Sequence, residues 1–341
     1  ARAAPYARPV MTTTTRDLTL LGQQAVLAPD AGRELIVATG ADRVRFLHGL
    51  VTNDVAGTPP GRGCRAALLT PKGQVVADLR ICVRPEDMRI VVDRGQAQTV
   101  AAALSRYAIM DDFAAAAVPG FTFLTVLGPA AAQRLGAAGV DVAGLAAASP
   151  RDLAHADAGE LWAVRVRELG ADGFWVGGPA AAIGALRDRL QAAGVPELDP
   201  AVAEAARIDA LEPRFGVEIT GDYFPMEVGL ADTIDERKGC YLGQEPIVRI
   251  RDRGHINWRL VVLDVDGTAA PQPGDRLESD SKPKAGRVTS AGQLPDGRLV
   301  ALAMAHVSLP VGATVRVRGD ETTPALEARL RAEVPSRPAA R

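Results

Sequence analysis

Short apolar runs broken by glycine and proline set the texture of this chain. Between residues 17 and 38, Leu18, Leu20, Val26, Leu35, Ile36 and Val37 alternate with polar neighbours, which predicts strands joined by turns at Gly22 and residues 29–32. The next segment, 40–50, has the spacing of an amphipathic helix, and further strands are expected over 64–69, 74–83 and 88–92 with turns at 71–73 and 84–87. Helical patterns follow at 96–107, 129–138, 179–193 and 200–211, interleaved with strand patterns at 121–127, 161–167 and 173–177. Beyond residue 255 the pattern changes to short strands at 258–264, 287–290, 298–304 and 314–317, separated by Gly, Pro and Asp turns, as in a small β-barrel. This reading divides the chain into a leader (1–16), an α+β region (17–255), a barrel (256–332) and a frayed tail (333–341).

Composition narrows the class. The 341 residues are 47% hydrophobic and 23% charged, with net charge −2, so the chain offers no global attraction for nucleic acid. No apolar run approaches the roughly eighteen residues of a membrane span. No Gly-x-Gly-x-x-Gly follows a strand and no Walker motif occurs, so a nucleotide-binding reading has no support. Cys64, Cys82 and Cys240 are three widely spaced thiols without a C-x-x-C, which argues against a disulfide framework or a self-contained metal site and for a reducing compartment. The leader carries Arg2, Arg8 and Arg16 with no acid, which fits a disordered start with Met11 as initiator or, alternatively, an organellar transit segment.

The densest chemistry lies at Lys238-Gly239-Cys240-Tyr241-Leu242-Gly243-Gln244-Glu245-Pro246, continuing to Arg249, Arg253 and Gly254. Glycines around Cys240 permit a tight turn and leave the sulfur uncrowded. A helix is predicted over 244–252, with Gln244 as its cap, Pro246 tolerated in the first turn, and Glu245, Arg249 and Arg253 on one face. From Arg237 to His255 five Lys/Arg face two Asp/Glu, a local net charge of +3. Such a setting near a helix N-terminus favours thiolate. The alternative is an inert cysteine beside a solvated arginine face. His48, on the amphipathic segment, reads as a structural histidine.

This signature resembles that of the YgfZ-type folate-binding proteins, relatives of the glycine-cleavage T-protein, a tetrahydrofolate-dependent aminomethyltransferase. The likeness extends to Asp42-Arg43 with Phe46-Leu47, and to Thr52-Asn53-Asp54-Val55. It implies an α+β fold: a three-domain ring of two mixed α/β domains and a C-terminal barrel around a folate channel. It also implies a tetrahydrofolate derivative as cofactor. The implied partners are iron-sulfur proteins, tRNA-modifying enzymes among them, and the implied setting is a cytoplasmic monomer.

Three further segments carry over by resemblance. Gly73-Gln74-Val75-Val76-Ala77-Asp78 resembles the segment that supplies the aminomethyltransferase carboxylate, with Ala77 where the first aspartate stands and Asp78 retained. Gly170-Ala171-Asp172-Gly173-Phe174-Trp175 resembles one that ends in a pterin-binding glutamate. Trp175 stands in its place, to stack on a pterin or to fill the core. Arg207 and Asp209 resemble an Arg-x-Glu pair, either facing folate or pairing on a helix surface. Tyr241 completes the expected cofactor contacts. With Ala77 in place of the acid, standard aminomethyl transfer is not expected. The functions left open are iron-sulfur support through the Cys240 thiol, a folate-dependent transferase with displaced acid chemistry, and a scaffold that docks RNA.

Overall fold

The computed structural model describes residues 14–146, 153–319 and 324–335. Two sheets and a barrel account for them. The first sheet has the spatial order Gly63–Leu69, Val75–Val83, Met88–Asp93, Arg33–Thr39, Ala114–Ala117, all antiparallel. The second runs Thr14–Thr15, Glu197–Leu198, Val26–Ala28, Phe121–Leu127, Ala171–Pro179, Leu161–Glu168, His155–Ala158. From residue 14 the chain thus runs in the second sheet, crosses to the first at Arg33 and returns at Phe121. The barrel closes in the order Trp258–Asp266, Leu299–His306, Lys282–Gln293, Arg276–Ser279, Thr314–Arg318, Leu326–Glu333.

Strand Val75–Val83 shows how the sequence places the site. Its side chains alternate between two faces, and both faces are covered. Ala77, Leu79 and Ile81 enter one apolar core with Phe46 and Leu47 of helix Arg43–Leu50 and Val100 and Leu104 of helix Ala97–Tyr107. Cys82, on the opposite face, joins Leu35 and Val91 against Phe123, Trp162 and Trp175 of the second sheet. A third core binds Leu69, Val75 and Ile234 to the barrel residues Leu260, Val262 and Leu302. The first sheet is therefore packed by helices on one side and by both other units on the other.

Several elements differ from expectation. Leu18–Gly22 is a 3-10 helix, because the Asp17 side chain accepts the Thr19 N–H at 3.0 Å and caps a turn where apolar alternation predicts a strand. Helix Arg43–Leu50 starts three residues late, after Gly40 takes φ +104°. Thr14–Thr15 pairs with Glu197–Leu198, so these two residues of the expected disordered leader belong to the second sheet, the leader's residues 1–13 lying outside the described residues. The first residues of the expected frayed tail, 333 and 334, are likewise held, its residues 336–341 lying outside the described residues. Glu333 pairs with Val261, and Val334 is buried, donating its N–H to Leu260 O at 3.0 Å.

Helix Pro200–Asp209 couples this assembly to the barrel. Asp199 caps it by accepting from Ala201 N and Val202 N, and Pro200 occupies its first turn. Arg207, near its end, is buried. It donates to Glu204 at 2.7 Å, Ser290 Oγ at 2.9 Å, Glu212 O at 2.5 Å and Glu218 at 3.2 Å. Glu218 is fully buried and also accepts from Ser290 Oγ at 2.6 Å. Removing a single partner from such a network strands a buried charge. Arg207→Met is accordingly expected to lower the unfolding free energy in urea by about 3 kcal/mol.

Candidate functional site

The signature loop is anchored before it becomes a helix. Lys238 turns inward and donates its ammonium to His48 O, to Val51 O at 2.7 Å and to Asn53 O at 3.0 Å. These carbonyls lie at and just beyond the C-terminal end of helix Arg43–Leu50, where the helix dipole is negative. Burial pulls the Lys238 pKa down to about 8, while Asp54, Cys64 and Asp235 oppose that pull. Leu242 N donates to Gly49 O at 3.2 Å, and Asp235 Oδ1 accepts from Arg237 N at 2.8 Å and Lys238 N at 3.2 Å.

Gly243 then takes φ +78°, and a Cβ there would lie 2.3 Å from Thr70 O. Only glycine fits this approach of the loop to the turn at 70–73. Helix Gln244–Arg253 follows from Gly243 as N-cap. Gln244 does not cap it as expected; its Oε1 accepts from Tyr241 N at 3.1 Å and closes the loop instead.

Cys240 stands exposed on this loop, in no disulfide. Its expected electropositive setting is weaker than the sequence implies. Lys238 points away from solvent, Arg251 pairs with Asp252 at 2.6 Å, and Glu245 and Arg249 are exposed without forming an ion pair among the described residues. The side chain of Arg253 lies outside the described residues. Beneath the helix is a cavity of about 320 Å³, lined among others by Lys238, Tyr241, Gln244, Ile234, Arg259 and Glu333. Burial pushes the Tyr241 hydroxyl pKa up to about 12, so it stays protonated.

A second cluster lies where the three units meet. Asp78, 2% exposed, accepts from Arg65 Nε at 2.9 Å and Nη2 at 2.7 Å and pairs with Arg80 Nη1 at 2.9 Å. Burial alone would raise its pKa, but Arg65 and Arg80 outweigh it and hold the carboxyl below the usual range. Arg33 pairs with Glu168 and sits 4.0 Å from the centroid of Trp175, whose indole N–H donates to Glu168 Oε2 at 2.9 Å. Glu212 accepts from Leu169 N at 2.9 Å and Gly170 N at 3.1 Å, burial raises its pKa, and it lies in electrostatic reach of Arg65. Arg65 and Arg80 keep 27% and 18% of their side chains exposed, so this cluster opens to solvent through its cations.

The expected residues thus separate into three groups. Lys238, Tyr241 and Gln244 line the cavity beside Cys240. Asp78 and Trp175 belong to the central cluster, but Trp175 is 2% exposed beneath Arg33, a core residue without a free face for a pterin. Arg207 and Asp209 are struts: Arg207 has the partners given above, and Asp209 pairs with Arg331 of the barrel at 2.6 Å. The strand's alternation also decides between positions 77 and 78. Ala77 faces the helix-side core, so the side that meets the other units is that of Asp78. Arg33, Arg65, Arg80, Glu168 and Glu212 were not singled out by sequence. The usable signal was Arg80 two residues after Asp78 in an otherwise apolar strand, which puts both charges on one face.

Two interleaved sheets, a closed barrel and a charged cluster at their junction define a protein of the glycine-cleavage T-protein class. The GCVT N-terminal domain matches residues 12–238, and the chain belongs to that family. The YgfZ-type likeness carried by the signature extends over nearly the whole chain. The tRNA-modifying protein YgfZ of Yersinia enterocolitica is 26% identical over 334 residues, covering 94% of each. The aminomethyltransferase of Bordetella parapertussis is 34% identical over 202 residues, 57% of this chain and 54% of that protein. In fold, the crystal structure of glycine cleavage system aminomethyltransferase T from Bartonella henselae matches with TM-score 0.82 at 22% identity, covering 92% of this chain and 87% of that one. No helix among the described residues is long and apolar enough to cross a membrane.

The Asp78 pairing fixes a pH dependence. Its pKa is lower in the folded than in the unfolded chain, so it stabilises the fold above the ordinary Asp value of 3.8 and loses that effect as pH falls through the folded value. Asp78→Asn is expected to be less stable than wild type at pH 7, and to lose less stability between about pH 5 and pH 2, in urea titrations at each pH.

Proposed function

We propose that this chain is a YgfZ-type folate-binding protein that supports iron-sulfur enzymes, tRNA-modifying ones among them, through the thiol of Cys240. The observation that carries this reading is the presence, in one chain, of an exposed cysteine on a loop locked to helix Arg43–Leu50 and of a separate central carboxylate already neutralised by two arginines. A carboxylate held ionised and enclosed in this way is a poor proton shuttle at neutral pH, which counts against standard aminomethyl transfer. The names of the YgfZ relatives supply the tRNA-modification context.

A tetrahydrofolate derivative would sit against the exposed parts of Arg65 and Arg80, with Glu212 at the same rim. The residues there fit such a ligand. Guanidinium forks suit the carbonyl edge of a pterin, and the meeting point of several units is a common ligand site. When bound, the cofactor supplies a one-carbon carrier. The chain's own part is to hold it by its polar edge and to present Cys240 on a separate, fixed loop.

Two measurements test this. Calorimetric titration with tetrahydrofolate is expected to show binding that weakens at least tenfold in Arg65→Ala and is unchanged in Tyr241→Ala; the reverse order would move the site to the cavity beneath the signature helix. In a strain lacking its own YgfZ-type protein, wild type is expected to restore a tRNA modification installed by an iron-sulfur enzyme, and Cys240→Ser to fail while folding normally. Full restoration by Cys240→Ser would eliminate the thiol role.

A further inference from the structure

His155 lies at the seam of the two sheets and takes no part in the site described above. Its backbone N–H donates to Gly61 O at 3.1 Å. Its ring Nε2 lies 3.2 Å from Arg62 O and 3.1 Å from Val83 O, which can only accept. Its Nδ1 lies 3.3 Å from Trp162 Nε1, which can only donate. The partners therefore define one neutral tautomer, with hydrogen on Nε2 and a lone pair on Nδ1. A further proton must go to Nδ1, where it meets the Trp162 N–H head-on.

Beyond the two carbonyls on Nε2, the surroundings work against an imidazolium. The residue is 6% exposed. From the first sheet come Arg84 and Arg89, the latter 5.0 Å from the centroid of the Trp162 ring. The nearby carboxylates are already engaged: Arg84 pairs with Glu86, with Asp87 at 2.9 Å and with Asp157 at 2.7 Å, and Arg89 pairs with Asp157 at 3.2 Å. Burial above all, helped by the two arginines, holds the His155 pKa below its ordinary 6.5 against the opposing pull of the two carbonyls.

We propose that His155 is an acid-sensitive latch on the interface between the two sheets: a proton taken from solvent onto Nδ1 breaks the Trp162 contact and releases strand His155–Ala158 from the loop at 61–62. The consequence reaches further than the strand. Trp162 and Trp175 share one apolar cluster with Cys82, which is fully buried, so opening the seam uncovers that thiol and loosens the Trp175 platform under Arg33. In the open seam the imidazole regains an ordinary affinity for protons. The open state is then favoured about tenfold per pH unit between the ordinary and the depressed pKa, and the closed state prevails above that window.

The test reads Cys82 directly. In full-length protein carrying Cys64→Ser and Cys240→Ser, the rate of Cys82 modification by 4,4′-dithiodipyridine is measured from pH 7.5 to 5 and normalised to a short peptide thiol. The normalised rate is expected to rise about tenfold per pH unit below about 6.5 and then level off. His155→Gln offers an N–H and a carbonyl to the same partners but does not titrate, so its profile is expected to be flat. Trp162→Phe removes the opposing N–H and is expected to shrink the total rise. A pH-independent rate in the parent, or an equal rise in His155→Gln, overturns the proposal. Should His155→Gln not fold, an undiminished rise in Trp162→Phe overturns it equally.

Discussion

One half-buried ammonium holds the signature loop in place. Lys238 donates to three carbonyls at and just beyond the end of helix Arg43–Leu50, and in doing so fastens a segment almost two hundred residues away in sequence to the helical layer of the first sheet. An ammonium has three hydrogens, and here each has a carbonyl at or just beyond a helix C-terminus, with Asp54 and Asp235 adding favourable charge. Everything downstream inherits that fixed point. Leu242 bonds Gly49, Gly243 presses against Thr70, the helix Gln244–Arg253 starts in a defined direction, and Cys240 is left on the outside.

The same division of labour runs through the molecule. Charges at the seams are consumed in fixing units to one another: Arg207 with Glu204, Glu218 and Ser290 joins the central helix to the barrel, and Arg33 with Glu168 joins the two sheets. Arg65 and Arg80 combine a firm partner, Asp78, with partial exposure at the meeting point of the units. A ligand at that point would meet preorganised cations whose carboxylate is already engaged. The chemistry such cations offer is recognition, and the exposed Cys240 thiol lies elsewhere on the chain.

Much of the fold was legible because apolar periodicity is local. The helices at 97–107, 180–192 and 244–253, the hairpin of Leu161–Glu168 with Ala171–Pro179, and the barrel texture after residue 255 all follow from spacing and turn residues. Ala114–Ala117 was not, since four alanines carry no alternation, and Leu18–Gly22 was misread because a side-chain cap outweighed the apolar pattern. The site was legible only as a list of residues. That Lys238 points inward, that Arg207 is a strut and that Trp175 lies beneath Arg33 depends on partners distant in sequence, which no local pattern encodes. Position 78, by contrast, was within reach: the period of a strand puts it on the face opposite Ala77 and on the same face as Arg80.

In the proposed function the Cys240 thiol depends on Lys238 to hold its loop. The most direct measurement is restoration of the iron-sulfur-dependent tRNA modification by Lys238→Met in a strain lacking its own YgfZ-type protein, with folding checked by circular dichroism and Cys240 confirmed as a titratable thiol. The variant is expected to be a folded protein with an intact cysteine that fails to restore the modification. Restoration to the wild-type level would contradict that dependence.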